Sequence, residues 1–203
     1  MPENLYPNGT VRALLSSNAV THATRRVLQE RLAAQPLSPQ FFDAETSELL
    51  RAVCARLVPQ VSPAPVDLVG GIDQRLARGQ TDGWRYDALP SDGEAYRMGL
   101  RGIEESAKGL FNRSFRQVTD VEKDTILQKV QAGSAPGDTW QSLPSDRFFE
   151  ELLAEAVELY YCHPLTQEAI GYAGLADAPG WSRIGLNERE EREPPEKGEK
   201  IDG

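Results

Sequence analysis

Few side chains in this sequence combine a type and a spacing that chemistry could use, and the first of them is the pair Cys162-His163. A thiol beside an imidazole could act as a nucleophile with its base, or as two ligands of one metal ion. Neighbouring residues on a helix project about 100° apart, however, so these two cannot converge on one atom. Pro164 follows directly, which puts His163 at a helix end, where an imidazole meets free carbonyls. Cys54, the other cysteine, falls within an apolar helical stripe and reads as a buried, inert thiol. Two cysteines so far apart give neither a disulfide framework nor a zinc spacing, and leave the redox compartment open. His22 stands on a helix that looks exposed. The carboxylates Glu104-Glu105 and Glu150-Glu151 are paired only along the chain and read as solvated helix faces. No glycine-rich phosphate loop, dinucleotide fingerprint or nucleophile elbow is present. The sequence therefore predicts no catalytic residue, no cofactor-binding residue and no metal ligand of its own.

Composition narrows the partners. A chain of 203 residues can bury one sizeable core, and its formal net charge of -9 disfavours a protein that works by neutralising phosphates. Nucleic acid is thus a poor partner. No window approaches the roughly 20 apolar residues of a bilayer span, so no direct membrane span is expected. Thr24 to Leu28 resembles a twin-arginine export signal, but Gln29 to Pro36 lacks the apolar run such a signal needs and reads as a solvated helix.

The elements that must position these residues are helical throughout. Asn18 or Thr21 can cap a helix carrying Val27, Leu28 and Leu32, which ends before Pro36. Asp43 stands as N-cap to a stripe of Leu49, Leu50, Val53, Cys54, Leu57 and Val58 that stops at Pro59. Val66, Leu68, Val69, Ile72 and Leu76 suggest a shorter helix, interrupted at Gly70-Gly71. Tyr96, Leu100, Ile103 and Leu110 recur at helical spacing. Thr119 and Glu122 form a capping box ahead of Ile126, Leu127 and Val130, with Gly133 as terminator. Ser145 is placed to cap a last long helix from Phe148 to Tyr161. No strict alternation of apolar and polar residues persists, so the fold class is all-α: a single irregular helical domain with long loops. The tail from Asn187 to Gly203 is almost wholly charged and is expected to be disordered, because it cannot bury enough apolar surface to offset its ordering entropy.

Aromatic residues outside the helical stripes are the remaining signal. Trp84, Tyr86 and Trp140 lie in loops rich in glycine and proline, while Tyr160, Tyr161 and Trp181 gather near the chain's closing turn. Rigid, amphipathic rings at such places commonly anchor interfaces, so these six are the candidate partner-binding residues. Their competing role is as plugs of the chain's own core. In the closing stretch GWSRIGL, Gly180 and Gly185 allow turns that a β-carbon resists, while Trp181 and Ile184 bring large apolar groups.

The succession of FFDAETSELLRAVCARLVPQ, YRMGLRGIEESAKGLFNRSFRQVTDVEKDTILQKVQAG, FFEELLAEAVELYYCHP and APGWSRIGL resembles the gluconate 2-dehydrogenase subunit 3 family. The resemblance runs from about Phe41 to Leu186. It implies a small helical subunit without a redox centre, bound to a large FAD-dependent flavoprotein of the glucose-methanol-choline type that oxidises sugars, sugar acids or related alcohols. The small subunit would be needed for the partner's folding, stability or export. A cytochrome c subunit is a further candidate partner, as electron acceptor. The implied organisation is an N-terminal extension with one helix (1–40), a subunit-3-like helical domain (41–186) and the charged tail (187–203). Many members of that family carry a twin-arginine signal, which this chain shows only as the fragment Thr24 to Leu28. With Met1 at the start, a cytoplasmic location is expected, the alternative being a periplasmic protein exported with or by its partner. The reading from a different class is a self-contained helical domain that binds a small ligand or serves as an adaptor.

Overall fold

The structure, a computed structural model, describes residues 10–18, 20–61, 64–81, 87–172 and 185–189. Trp84, Tyr86 and Trp181, with most of the GWSRIGL stretch and of the charged tail, lie outside the described residues. The described elements are all helical: α1 (Thr10–Ser16), α2 (His22–Ala33), α3 (Ala44–Leu57), α4 (Leu68–Ala77), α5 (Asp92–Phe111), α6 (Asp120–Gln131), a 3-10 turn (Asp138–Gln141), α7 (Ser145–Tyr161) and α8 (Pro164–Ala169). They form two compact units, Pro36–Tyr160 and, separately, Met1–Gln35 with Tyr161–Gly203.

The larger unit is built around α5, whose Tyr96, Leu100, Ile103 and Ala107 are buried. Leu50, Val53, Ile72, Phe115, Ile126, Val130, Phe148 and Leu152 complete the core around it. Helix boundaries follow local chemistry. Asp43 accepts from the Thr46 N–H at 2.7 Å to start α3. Thr119 and Glu122 cap each other's backbone to start α6, with Thr119 N–H donating to Glu122 Oε2 at 2.7 Å and Glu122 N–H to Thr119 Oγ1 at 3.3 Å. Gly133, at φ +68°, takes the left-handed turn that ends α6.

Two expectations need correction here. Gly70-Gly71 does not interrupt α4, which runs unbroken from Leu68 to Ala77. The glycines are there for space: a β-carbon at Gly70 would sit 2.2 Å from the capping carboxylate of Asp67, and one at Gly71 3.0 Å from Leu159. Ser145 is the first residue of α7 and not its cap. Its hydroxyl donates to the Val130 carbonyl at 2.9 Å, while Phe148 N–H reaches back to Pro144 O at 3.1 Å.

The smaller unit contains two helices in the first forty residues, where one was expected. Thr21, of the two proposed caps, is the one that caps α2. Leu15, Val20 and Leu28 form its apolar centre, with Leu14 and Leu32 against them. Arg25, from the twin-arginine fragment, donates to the carbonyls of Leu15, Ser17 and Val20 at 2.7, 2.6 and 3.2 Å and so closes the α1–α2 turn. Arg12 and Glu168 join α1 to α8, with Arg12 N–H, Nε and Nη2 all within 3.2 Å of that carboxylate.

Asp73 of α4 is a buried carboxylate that organises the start of the larger unit. It is 2% exposed. It accepts the backbone N–H groups of Gln40, Phe41 and Phe42 at 2.6, 3.0 and 2.9 Å. These donors precede α3 and have no helix to satisfy them, so the carboxylate replaces a missing turn of backbone. Asp73→Ala is expected to lower unfolding free energy by about 3 kcal/mol in denaturant titration, because buried N–H groups lose their acceptor. Asp73→Asn, which keeps one oxygen, should cost less; equal losses in the two variants would contradict this account.

Candidate functional site

The densest polar cluster joins three helices. Arg75 of α4 donates through Nε and Nη2 to both oxygens of Glu155 on α7, at 2.5 and 2.8 Å, and through Nη1 to Asp92 Oδ2 on α5 at 2.7 Å. The Tyr96 hydroxyl also donates to Glu155 Oε2. Bidentate pairing of this kind orients as well as attracts. Hydrogen bonding to Glu155 holds the Arg75 guanidinium firmly charged, and burial pushes the Tyr96 phenol well above its ordinary range. Neither group can exchange a proton near neutral pH, so the cluster clamps helices together. A cavity of about 260 Å³ opens on it, lined by Arg75, Asp92, Tyr96 and Glu155 themselves together with Leu89, Pro90, Ala95 and Phe148.

Other candidate groups are likewise held by structure. Cys54 is buried, and burial pushes its thiol up to about 12, in keeping with the inert role expected for it. Cys162 offers its carbonyl to Arg31 Nη1 at 2.7 Å. His163 follows the end of α7 as expected, but its ring serves the next helix: Nδ1 accepts from Leu165 N–H at 3.3 Å as the N-cap of α8. Nε2 then faces the Arg31 carbonyl at 3.2 Å, which fits a neutral ring protonated at Nε2, and burial lowers its pKa further. Glu104 and Glu105 are not the solvated pair they were expected to be. Glu104 accepts the Phe115 N–H at 2.9 Å, and Glu105 accepts both the N–H and the hydroxyl of Thr139 at 2.9 Å. Among the described residues no group of three or more His, Cys, Asp or Glu is placed to hold a metal ion.

Trp140, in the 3-10 turn, lies half-buried against α5. Its indole N–H donates to Ser106 Oγ at 2.9 Å, and its ring centroid is 6.1 Å from that of Phe148. α5 admits both rings because it lacks side chains where they press. A β-carbon at Gly102 would lie 2.5 Å from the Trp140 ring, and one at Gly99 2.2 Å from Phe148. Tyr160 is half-buried against the same core, and Tyr161, in the smaller unit, is 45% exposed.

A second, larger depression runs along α3, α5 and the segment 112–118, with a volume of about 950 Å³. Phe41, Phe42, Leu49 and Leu100 give it an apolar floor, and charged residues of α5 line one side. Arg97 lies across the Phe41 ring, with its guanidinium carbon 3.8 Å from the ring centroid. Phe41 stands edge-on to Phe42 at 4.8 Å, and Gly93 leaves it room, since a β-carbon there would fall 2.8 Å from the Phe41 ring.

These polar clusters bind helices and loops to one another, and identity comes from comparison. A family described as gluconate 2-dehydrogenase subunit 3 matches residues 44–180, which include nearly all of the larger unit. The chain belongs to the gluconate 2-dehydrogenase subunit 3 family. No curated protein and no solved structure matches it. Membership implies a subunit within a gluconate dehydrogenase complex, and no helix among the described residues is long and apolar enough to cross a membrane.

Sequence reasoning missed Asp73 and the Arg75–Glu155 clamp. A signal existed for both. Asp73 stands between Val69, Ile72 and Leu76, and Glu155 between Leu152 and Ala156, so each charge sits on the core-facing side of its helix.

Two measurements test these assignments. Between the ordinary thiol value of 9.0 and about 12 the folded state keeps a proton on Cys54 that the unfolded state releases, so stability falls as pH rises through this window. The decline in Cys54→Ala should be shallower by up to about 1.4 kcal/mol per pH unit, measured by denaturant melts; an unchanged slope would count against the buried thiol. Gly102→Ala should cost about 1–3 kcal/mol by forcing the Trp140 ring aside. Combined with Trp140→Ala the loss should be less than additive, and strict additivity would show that the two do not meet.

Proposed function

We propose that this chain is a non-catalytic small subunit that binds and stabilises the large, FAD-dependent subunit of a dehydrogenase of the glucose-methanol-choline type. The large subunit oxidises a sugar, a sugar acid or a related alcohol. The family match over residues 44–180 carries this reading, since the family is named for subunit 3 of a gluconate 2-dehydrogenase. The chain's own polar groups support it: Arg75, Tyr96, Glu155, Glu104 and Glu105 hold helices and loops in place. The flavin belongs to the partner, and a cytochrome c subunit is a further candidate in the assembly.

Tyr161, with its exposed ring, remains a candidate for the interface, as do Trp84, Tyr86 and Trp181. Trp140 and Tyr160 can offer only the parts of their rings that are not packed on the core. We place the complex in the cytoplasm, with export to the periplasm with or by the partner as the alternative. Folding of Thr24 to Leu28 into α2, with Arg25 bound to three carbonyls, supports reading that fragment as part of the fold.

Expression of the tagged chain with and without a glucose-methanol-choline flavoprotein from the same source tests the proposal. The co-purified complex should show the visible absorbance of oxidised flavin and oxidise a sugar or sugar acid. The chain alone should be colourless and inactive, and the flavoprotein alone should unfold at a lower temperature than the complex. A yellow, active preparation of this chain by itself would overturn the reading.

A further inference from the structure

We propose that His163 makes α8 a pH-sensitive latch of the smaller unit: in acid its ring stops capping the helix, and α1, which α8 holds through Glu168, is released. All the groups involved lie in that unit. The ring is committed at both nitrogens. Nδ1 accepts the Leu165 N–H at 3.3 Å, and Nε2 faces the Arg31 carbonyl near the end of α2 at 3.2 Å. An imidazole meets both demands only as the neutral tautomer that carries its proton on Nε2. Arg31 returns the contact, its Nη1 donating to the Cys162 carbonyl at 2.7 Å. A proton added to Nδ1 would set N–H against N–H at the start of α8, where the helix already presents free donors and partial positive charge. The charge that acts on the ring from α2 is Arg31, which disfavours a second cation beside it, and burial works in the same direction. Arg12 of α1 and Glu168 of α8 itself pair with each other, and the titratable residues before the ring in the chain are Tyr161 and Cys162.

The rest of the unit depends on that cap. α8 has six residues, too few turns to persist once its first one is lost. That first turn hangs on His163 twice over, because the His163 carbonyl also accepts the N–H groups of Thr166 and Gln167, each at 3.0 Å. The helix in turn presents Glu168 to the backbone N–H and the guanidinium of Arg12, 156 residues away in sequence. Beyond these bonds the unit has only a small apolar centre of Leu15, Val20 and Leu28. Because the fold holds the His163 pKa below the ordinary 6.5, the closed unit binds the proton less readily than the opened one. The latch is therefore fully closed above 6.5 and weakens as pH falls through that value towards the lower folded pKa. Within this window the open fraction should rise by up to about tenfold per pH unit.

The test uses the full-length chain. Its two histidines are His22 and His163, so the variant His22→Gln assigns the imidazole signals by elimination. Nitrogen-15 NMR should show the neutral His163 ring protonated on Nε2 and titrating below 6.5. Amide exchange at Leu165 and at the distant Arg12, corrected for intrinsic rates, should quicken together as pH falls from about 7 to about 5. In His163→Asn, whose amide oxygen caps a helix without titrating, the quickening at Arg12 should vanish although Glu168 still titrates. Protonation of the neutral ring on Nδ1, or titration at or above 6.5, would overturn the latch, and both are read on the native ring whatever the variant's stability. Acid quickening at Arg12 that persists in His163→Asn would overturn it as well and assign the effect to Glu168.

Discussion

A single carboxylate organises the entry to the larger unit. Asp73 gathers three consecutive backbone N–H groups at a point where the chain is neither helix nor strand, and much of the neighbouring surface follows from that. Without an acceptor those donors would have to reach water or remain unpaired in the core. With it, Phe42 turns inward to Tyr96, at a ring separation of 6.5 Å, and Phe41 turns outward beneath Arg97. One buried acid therefore fixes both a core ring and a surface ring.

The same division of labour recurs across the molecule. Charged groups that look available in one dimension are spent on holding elements together. Arg75 ties α4 to α5 and α7, and Arg56 ties α3 to Asp120 and Asp124 of α6 at 3.0 and 2.7 Å. Arg25 and Arg12 do comparable work in the smaller unit. A small helical unit with long connections has little apolar area per residue, and charge-assisted hydrogen bonds between elements supply orientation that packing alone leaves loose.

Much of this fold was legible in the sequence, for identifiable reasons. Period and caps marked α3, α6 and α7, because Asp43 and the Thr119–Glu122 box announce helix starts and the apolar stripes repeat at three and four residues. The short α1 and α8 escaped because helices of 7 and 6 residues hold too few turns for a period to show. Gly70-Gly71 misled because helix propensity counts the entropic cost of glycine, while here close contact with Asp67 and Leu159 leaves no room for a β-carbon. The roles of the carboxylates escaped for a different reason. Which of them are spent on holding other segments depends on pairs distant in sequence, such as Glu105 with Thr139, and no local pattern encodes them.

The glycines of α5 carry a consequence for how this protein can change over generations. On one side of the helix Gly99 and Gly102 meet Phe148 and Trp140 so closely that no larger residue fits. On the other side Arg97 and Arg101 are exposed, Arg97 over the Phe41 ring and Arg101 on Thr139, and neither belongs to the buried core, so they can be exchanged at less cost to it. Constraint and freedom are thus separated by half a helical turn. The packed side can stay invariant while the exposed side drifts in charge, so the same scaffold can follow a changing associate without having to refold.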